Sequence, residues 1–418
     1  ESARVKFFAA QGLGKLKHAA AAPALLAALR ANNNDDAHLR HALVMGLVGG
    51  NNTGALSAAI TDASPAVRLG ALLALRRLKS AEVVKFLADS DAYIAREAAI
   101  AINDAPITAG YAALAALLDK NPSDEPIAFR AINAHFRLGQ VANAAALAKF
   151  AARKDAPARA RAEAIAQLAE WPKPLQRDRL VGIYRPTEGK TRDRSVAVNA
   201  LRPIVADLLA ASTPSVVQTA TLDALQKLEI AGASDALFAA VSNGDLAGET
   251  RAAALATLDK VKDKRLADAV KIASDSSSST LRLAALPISA RLSPDAAAPV
   301  LAKLIEKGSA DEQRAAFRAL GFSRHASAAP LFVQQLALLE QGKIAPAVQL
   351  DLLNAATRRN EPAIKAAIAK REAAIAANTD PLAPFRVALE GGNRIRGEQI
   401  FRNEPTLACI RCHRAGAD

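Results

Sequence analysis

Apolar residues recur at helical spacing along most of this chain, and each apolar run is closed by a polar or proline-containing turn. The run Ser64-Pro65-Ala66-Val67-Arg68-Leu69-Gly70-Ala71-Leu72-Leu73-Ala74-Leu75 sets the theme: a turn, a basic residue, then small and apolar positions. Ala92-Tyr93-Ile94-Ala95-Arg96-Glu97-Ala98-Ala99-Ile100-Ala101-Ile102 repeats it. The basic position returns as Arg40, Arg68, Arg96, Arg130 and Arg161, and later as Gln218, Arg251, Arg282, Arg314 and Gln349. An interval of about thirty residues is the length of a two-helix unit.

The pattern predicts an all-α solenoid of antiparallel helix pairs over residues 1–376. Alanine at the tightest contacts lets helices approach, while leucine, isoleucine and valine fill the seam between stacked pairs. Pro65, Pro157 and Pro214 fall where the second helix of a pair starts, a position at which the missing N–H costs nothing. Residues 62–75, 155–168 and 310–320 resemble HEAT repeats. That resemblance implies a bracing role between neighbouring turns for the recurring arginine or glutamine, in place of catalysis.

One stretch breaks the alternation. Residues 171–186 hold the only tryptophan, Trp171, and three prolines. Trp171 is expected to plug a packing gap in an irregular repeat. Residues 275–280 form a serine-rich loop, and Asn378-Thr379-Asp380 precedes Pro381 and Pro384. These breaks place the repeat array at 1–376, a linker with a short helix at 377–391, and a separate C-terminal segment at 392–418.

Composition narrows the classes. Aromatic residues are only 4% of the 418, which suits stacked alanine- and leucine-rich helices better than one large core. Apolar stretches are short and interrupted, so no membrane span is expected. A signal peptide is not visible either, and the N-terminus reads as cut. The formal charge of +13 invites a nucleic-acid reading. The basic residues are nevertheless spread along the chain without interleaved aromatics; even the densest run, Arg177, Arg179, Lys190, Arg192 and Arg194, reads as a solvated surface, and no nucleic-acid partner is expected.

No catalytic residue can be named. Gly12-Leu13-Gly14-Lys15 lacks the features of a dinucleotide or phosphate loop and reads as a helix end, and neither His-Glu-x-x-His nor Gly-x-Ser-x-Gly occurs. The chemistry is concentrated in Cys409-Ile410-Arg411-Cys412-His413, which contains both cysteines of the chain. This spacing reads as a c-type haem attachment site: two thiols can add to the vinyl groups of one porphyrin, and the next imidazole is held under the iron. A thioredoxin-like pair needs surrounding strands, and a structural zinc needs four ligands where this tail shows three.

Upstream, Gly397 and Phe401 are four apart and share one face of a predicted helix. Over residues 392–418 the chain resembles cytochrome c domains, whose first helix carries a Gly-x-x-x-Phe pattern shortly before the haem cysteines. The resemblance implies that Cys409 and Cys412 are the thioether attachments and His413 the proximal iron ligand of a covalent haem c. The distal ligand and closing helix of such a domain do not follow, so the expectation is an incomplete cytochrome c start in a piece of a longer protein. Met45, His18, His38, His41, His135 and His325 lie among the repeats and read as surface or packing residues.

A helical repeat array running into this motif, with the Trp-Pro-x-Pro-Leu-x-Arg-Asp-Arg-Leu-x-Gly element at 171–182, resembles PVC-type haem-binding CxxCH proteins. In that family a propeller similar to PQQ-dependent sugar dehydrogenases typically precedes the repeats. The resemblance implies a sugar or alcohol dehydrogenase activity, with PQQ, only for an upstream domain, and leaves this segment as scaffold and haem anchor. Its expected partners are an upstream or separate dehydrogenase and an electron-acceptor protein. Haem attachment outside the cytoplasmic membrane implies a periplasmic or otherwise exported location. The competing reading is a protein–protein interaction scaffold with no redox role.

Overall fold

The computed structural model describes the chain apart from residues 1, 121, 188–190, 231–233, 393, 404–408, 410–412 and 414–418. The protein is all-α, and among the described residues the only strand-like pairing is one antiparallel bridge between Arg177 and Tyr184. Two compact units divide the chain, residues 1–236 and 237–418.

The first unit holds α1 (Ala3–Lys15), α2 (Ala22–Asn32), α3 (Ala37–Gly50), α4 (Thr53–Ala58), α5 (Pro65–Arg77), α6 (Ala92–Asp104), α7 (Tyr111–Ala116), α8 (Glu125–Leu138), α9 (Val141–Ala152), α10 (Ala158–Ala169), α11 (Arg194–Leu201), α12 (Val205–Leu208) and α13 (Ser215–Leu228). The division falls within α14 (Ser234–Ser242). The second unit continues with α15 (Gly248–Lys260), α16 (Leu266–Ser274), α17 (Ser279–Leu292), α18 (Pro294–Lys307), α19 (Ala310–Leu320), α20 (Ala328–Glu340), α21 (Pro346–Ala356) and α22 (Pro362–Ala376). A short 3-10 turn at Ala383–Ala388 and α23 (Arg394–Asn403) follow.

Each unit is a stack of HEAT-like pairs. In the first, α3, α5, α6, α8, α10 and α13 pack successively, and each also meets the helix or turn that precedes it in the chain; in the second, α15, α17, α19 and α21 pack successively, with α16, α18, α20 and α22 against them. The contacts match the composition. Ala42, Ala71, Ala98, Ala101, Ala131 and Ala134 are wholly buried where helices touch, and Leu29, Leu72, Leu75, Ile94 and Ile102 fill the seams. Full burial of such a side chain stabilises by about 1.5–3 kcal/mol. Aspartates and serines start the helices: Asp36 accepts from the N–H groups of His38 and Leu39, and Ser309 with Glu312 forms a reciprocal capping box on α19.

The recurring arginine or glutamine makes two kinds of brace. Arg68 donates from Nε and Nη2 to the carboxylate of Asp89 in the next repeat, both at 2.9 Å, and Arg96 Nε donates to Asp124 at 2.7 Å. Asp124 also caps α8, so one carboxylate serves both purposes. The second kind turns back onto a carbonyl at the end of the preceding helix or in the loop that follows it, where backbone acceptors lack helical partners. Arg161 reaches Ala151 O at 2.8 Å, Gln218 reaches Ala210 O at 2.9 Å, Arg251 reaches Val241 O at 2.9 Å and Gln349 reaches Ile344 O at 2.9 Å. A neutral amide suffices against a carbonyl, which explains how glutamine can stand at this position.

The interruption at 171–186 is a hairpin-like loop laid against α6, α8 and α10. Asp178 N donates to Ile183 O at 2.9 Å, Arg185 N to Gln176 O at 2.8 Å, and Gly182 N to Asp178 O at 2.8 Å. Gly182 adopts φ +69°, a left-handed turn conformation that glycine takes without strain. Trp171, 1% exposed, packs edge-on to Phe136 with ring centroids 6.0 Å apart. The Arg192 guanidinium lies 4.7 Å from both ring centroids, a double cation–π contact. Trp171 is therefore a packing residue.

Candidate functional site

α22 ends at Ala376, and the chain then follows α21 for a short distance: Arg314 Nη2 donates to Glu390 O at 3.1 Å, which ties the connecting segment to the last repeats. Leu382, Phe385 and Leu389 in this segment are exposed. On α23, Gly397 is exposed and Phe401 half-buried, and a Cβ placed on Gly397 would meet nothing within 4 Å. No described residue therefore lies close enough to Gly397 for a tight helix–helix contact there.

Beyond α23, two of the three expected haem residues are described. His413 N donates to Cys409 O at 3.0 Å. Cys409 is a half-buried free thiol and His413 is exposed. Cys412 lies outside the described residues. Among the described residues no group of three or more His, Cys, Asp or Glu side chains converges as a metal site. His135 and His325 serve the array instead. His135 is buried in α8 with Nδ1 2.9 Å from Asn143 Nδ2, and His325 Nδ1 lies 2.7 Å from Ser327 Oγ at the approach to α20.

Sequence reasoning passed over two features. The first is a buried polar centre under the hairpin, built on Asp178. Its Oδ2 accepts from Arg137 Nη2 at 2.7 Å, Asn133 Nδ2 at 3.0 Å and Arg185 Nη1 at 3.3 Å, while Oδ1 accepts from the N–H groups of Leu180 and Val181. Asn133 passes the network on to Asn103 Oδ1 at 2.8 Å, and Arg185 reaches Asn103 O at 2.7 Å and the Tyr111 hydroxyl. Burial pushes the Asp178 carboxyl up, but the bonds from Asn133, Val181 and Arg137 outweigh it and hold the carboxyl below the ordinary aspartate range. This centre is fully occupied by its own partners and is structural. Its local signal was an aspartate four residues before a glycine, the mark of a side-chain-stabilised turn.

The second is a groove of about 630 Å³ between α3 and α5, lined by Arg40, His41, Arg76, Arg77 and Lys79. The Arg76-Arg77-x-Lys79 run was visible as a basic cluster at a helix end. Its position opposite Arg40 and His41 was not.

No protein-family model matches the chain, and no curated protein matches it.

Proposed function

We propose that this chain is the helical scaffold and haem-anchoring part of an electron-transfer protein, with Cys409 and Cys412 as the thioether attachments of a haem c and His413 as its proximal iron ligand. The observation that carries the reading is the Cys409-Ile410-Arg411-Cys412-His413 spacing, supported by the backbone bond of 3.0 Å from His413 N to Cys409 O. When bound, the haem supplies a one-electron iron couple whose potential depends on its ligands and burial. The chain's own residues do the rest: two thiols anchor the group, one imidazole fixes the orientation of the iron, and the repeats present the site to redox partners. Those partners are an upstream or separate dehydrogenase and an electron acceptor, and attachment of haem c requires an exported, periplasmic-type location.

The test is to mature the full chain alongside a c-type haem lyase system in a periplasm, then extract it under denaturing conditions. Haem absorbance that stays with the polypeptide, and that falls in Cys409→Ala and Cys412→Ala while the helical circular dichroism is unchanged, is the expected result. Complete release of haem, with a control cytochrome retaining its own, overturns the proposal.

A further inference from the structure

Along the second helices of the first unit, arginines are matched by carboxylates: Arg68 by Asp89, Arg96 by Asp124, Arg130 by Asp104 and Arg137 by Asp178. The groove between α3 and α5 departs from this pairing. It gathers Arg40 and His41 from α3 and Arg76, Arg77 and Lys79 from the end of α5, and no carboxylate lines it. Among the described residues, none of the five has an acidic partner at ion-pair distance; the side-chain contact of Arg40 is with the neutral Asn34 Oδ1, at 3.4 Å.

Helix stability explains only half of the cluster. Arg76 and Arg77 occupy the last turn of α5, where positive charge offsets the helix dipole. Arg40 stands near the start of α3, where the same dipole disfavours a cation. Gathering like charges from both helix ends in one groove costs stability unless an anion enters it.

The floor indicates which anion. Leu73, half-buried, lies one turn before Arg76 and Arg77, so the α5 wall carries an apolar position beside its cations. No aromatic side chain lines the groove, so a nucleobase would find nothing to stack on. A volume of about 630 Å³ accommodates a few residues of a peptide rather than a folded surface.

We propose that the α3–α5 groove docks an acidic peptide segment of a partner protein, with its carboxylates on Arg40, Arg76 and Arg77 and an apolar side chain on Leu73. Guanidinium groups accept carboxylates in bidentate geometry, which a lysine cannot reproduce, and the concentrated charge also speeds encounter with an acidic partner. The inference is independent of haem.

The experiment is fluorescence anisotropy on the full chain with a fluorescein-labelled peptide of alternating glutamate and valine. A glutamine–valine peptide of equal length, a labelled oligothymidylate and competing inorganic phosphate serve as comparisons. The expected result is saturable binding of the acidic peptide that weakens with salt. Binding should weaken roughly tenfold or more in Arg76→Ala/Arg77→Ala and in Arg40→Ala. Thermal midpoints of the variants report that the array remains folded. For a variant that loses its fold, Arg40→Lys and Arg77→Lys provide the second measurement, with charge kept and bidentate geometry removed, and weaker binding is again expected. Tighter binding of the oligothymidylate, equal binding of the glutamine peptide, full displacement by phosphate at millimolar concentration, or unchanged affinity in the folded variants would each overturn the proposal.

Discussion

Asp178 Oδ2 accepts a hydrogen bond from Arg137 Nη2 at 2.7 Å, and through it the hairpin at 171–186 is fastened to α8. The aspartate side chain is 0% exposed and that of the arginine 10%, so the pair is largely removed from water. Arg185, from the hairpin itself, completes a two-arginine clasp on one carboxylate. Replacing Asp178 by alanine leaves two guanidinium groups facing each other without their shared anion. The expected loss is about 3–5 kcal/mol, read from urea unfolding of the full chain. A change below about 1 kcal/mol would show that the Asp178 clasp contributes little to holding the hairpin.

Acid should weaken the same centre. The Asp178 carboxyl is held below its ordinary range in the folded protein, so its contribution is fully present above the unfolded aspartate value of about 4 and is lost as pH falls through the lowered native value. Stability measured from pH 7 downward should therefore drop below about pH 4, and more shallowly in Asp178→Asn than in the parent. Parallel curves for the two proteins would contradict this assignment.

Glycines at the first helix crossing give a paired prediction. A Cβ on Gly49 would lie 2.2 Å from Gly14 O and 2.6 Å from Gly14 Cα, and backbone cannot yield as a side chain can. Gly49→Ala should separate α1 from α3 and cost about 1–3 kcal/mol. Gly12, inside α1, meets nothing within 4 Å, so Gly12→Ala should instead stabilise by up to about 1 kcal/mol through helix propensity. Thermal midpoints moving in opposite directions check both.

Leu72 and Leu255 are wholly buried, each on a second helix of its own unit. Alanine at either position should cost about 2–5 kcal/mol, with the larger values where the surrounding alanines cannot collapse into the space. Differential hydrogen exchange should place the loss in the first unit for Leu72→Ala and in the second for Leu255→Ala. Uniform loss of protection along the chain would mean that the two units unfold as one.

The sequence determined most of the array because repeat packing is a near-neighbour affair. An apolar period of 3.6 tells each helix which face to bury, and the recurrence of one basic or amide position marks each unit; Arg68, Arg161 and Gln349 find their partners within a neighbouring helix or loop. The Cys409-x-x-Cys412-His413 spacing is read from the sequence alone, because such a motif is defined by a few adjacent residues. Tertiary structure decided what joins distant segments. Asp178 meets Asn133 and Arg137 more than forty residues away, and nothing in its own neighbourhood distinguishes a buried carboxylate from a solvated one. Arg40, an ordinary member of the repeated series in sequence, becomes one wall of a cationic groove only when α3 is laid beside α5. Gly14, read in sequence only as part of a helix end, is a contact at which two backbones touch. In each case the deciding quantity is a distance between residues far apart in the chain, which periodicity does not encode.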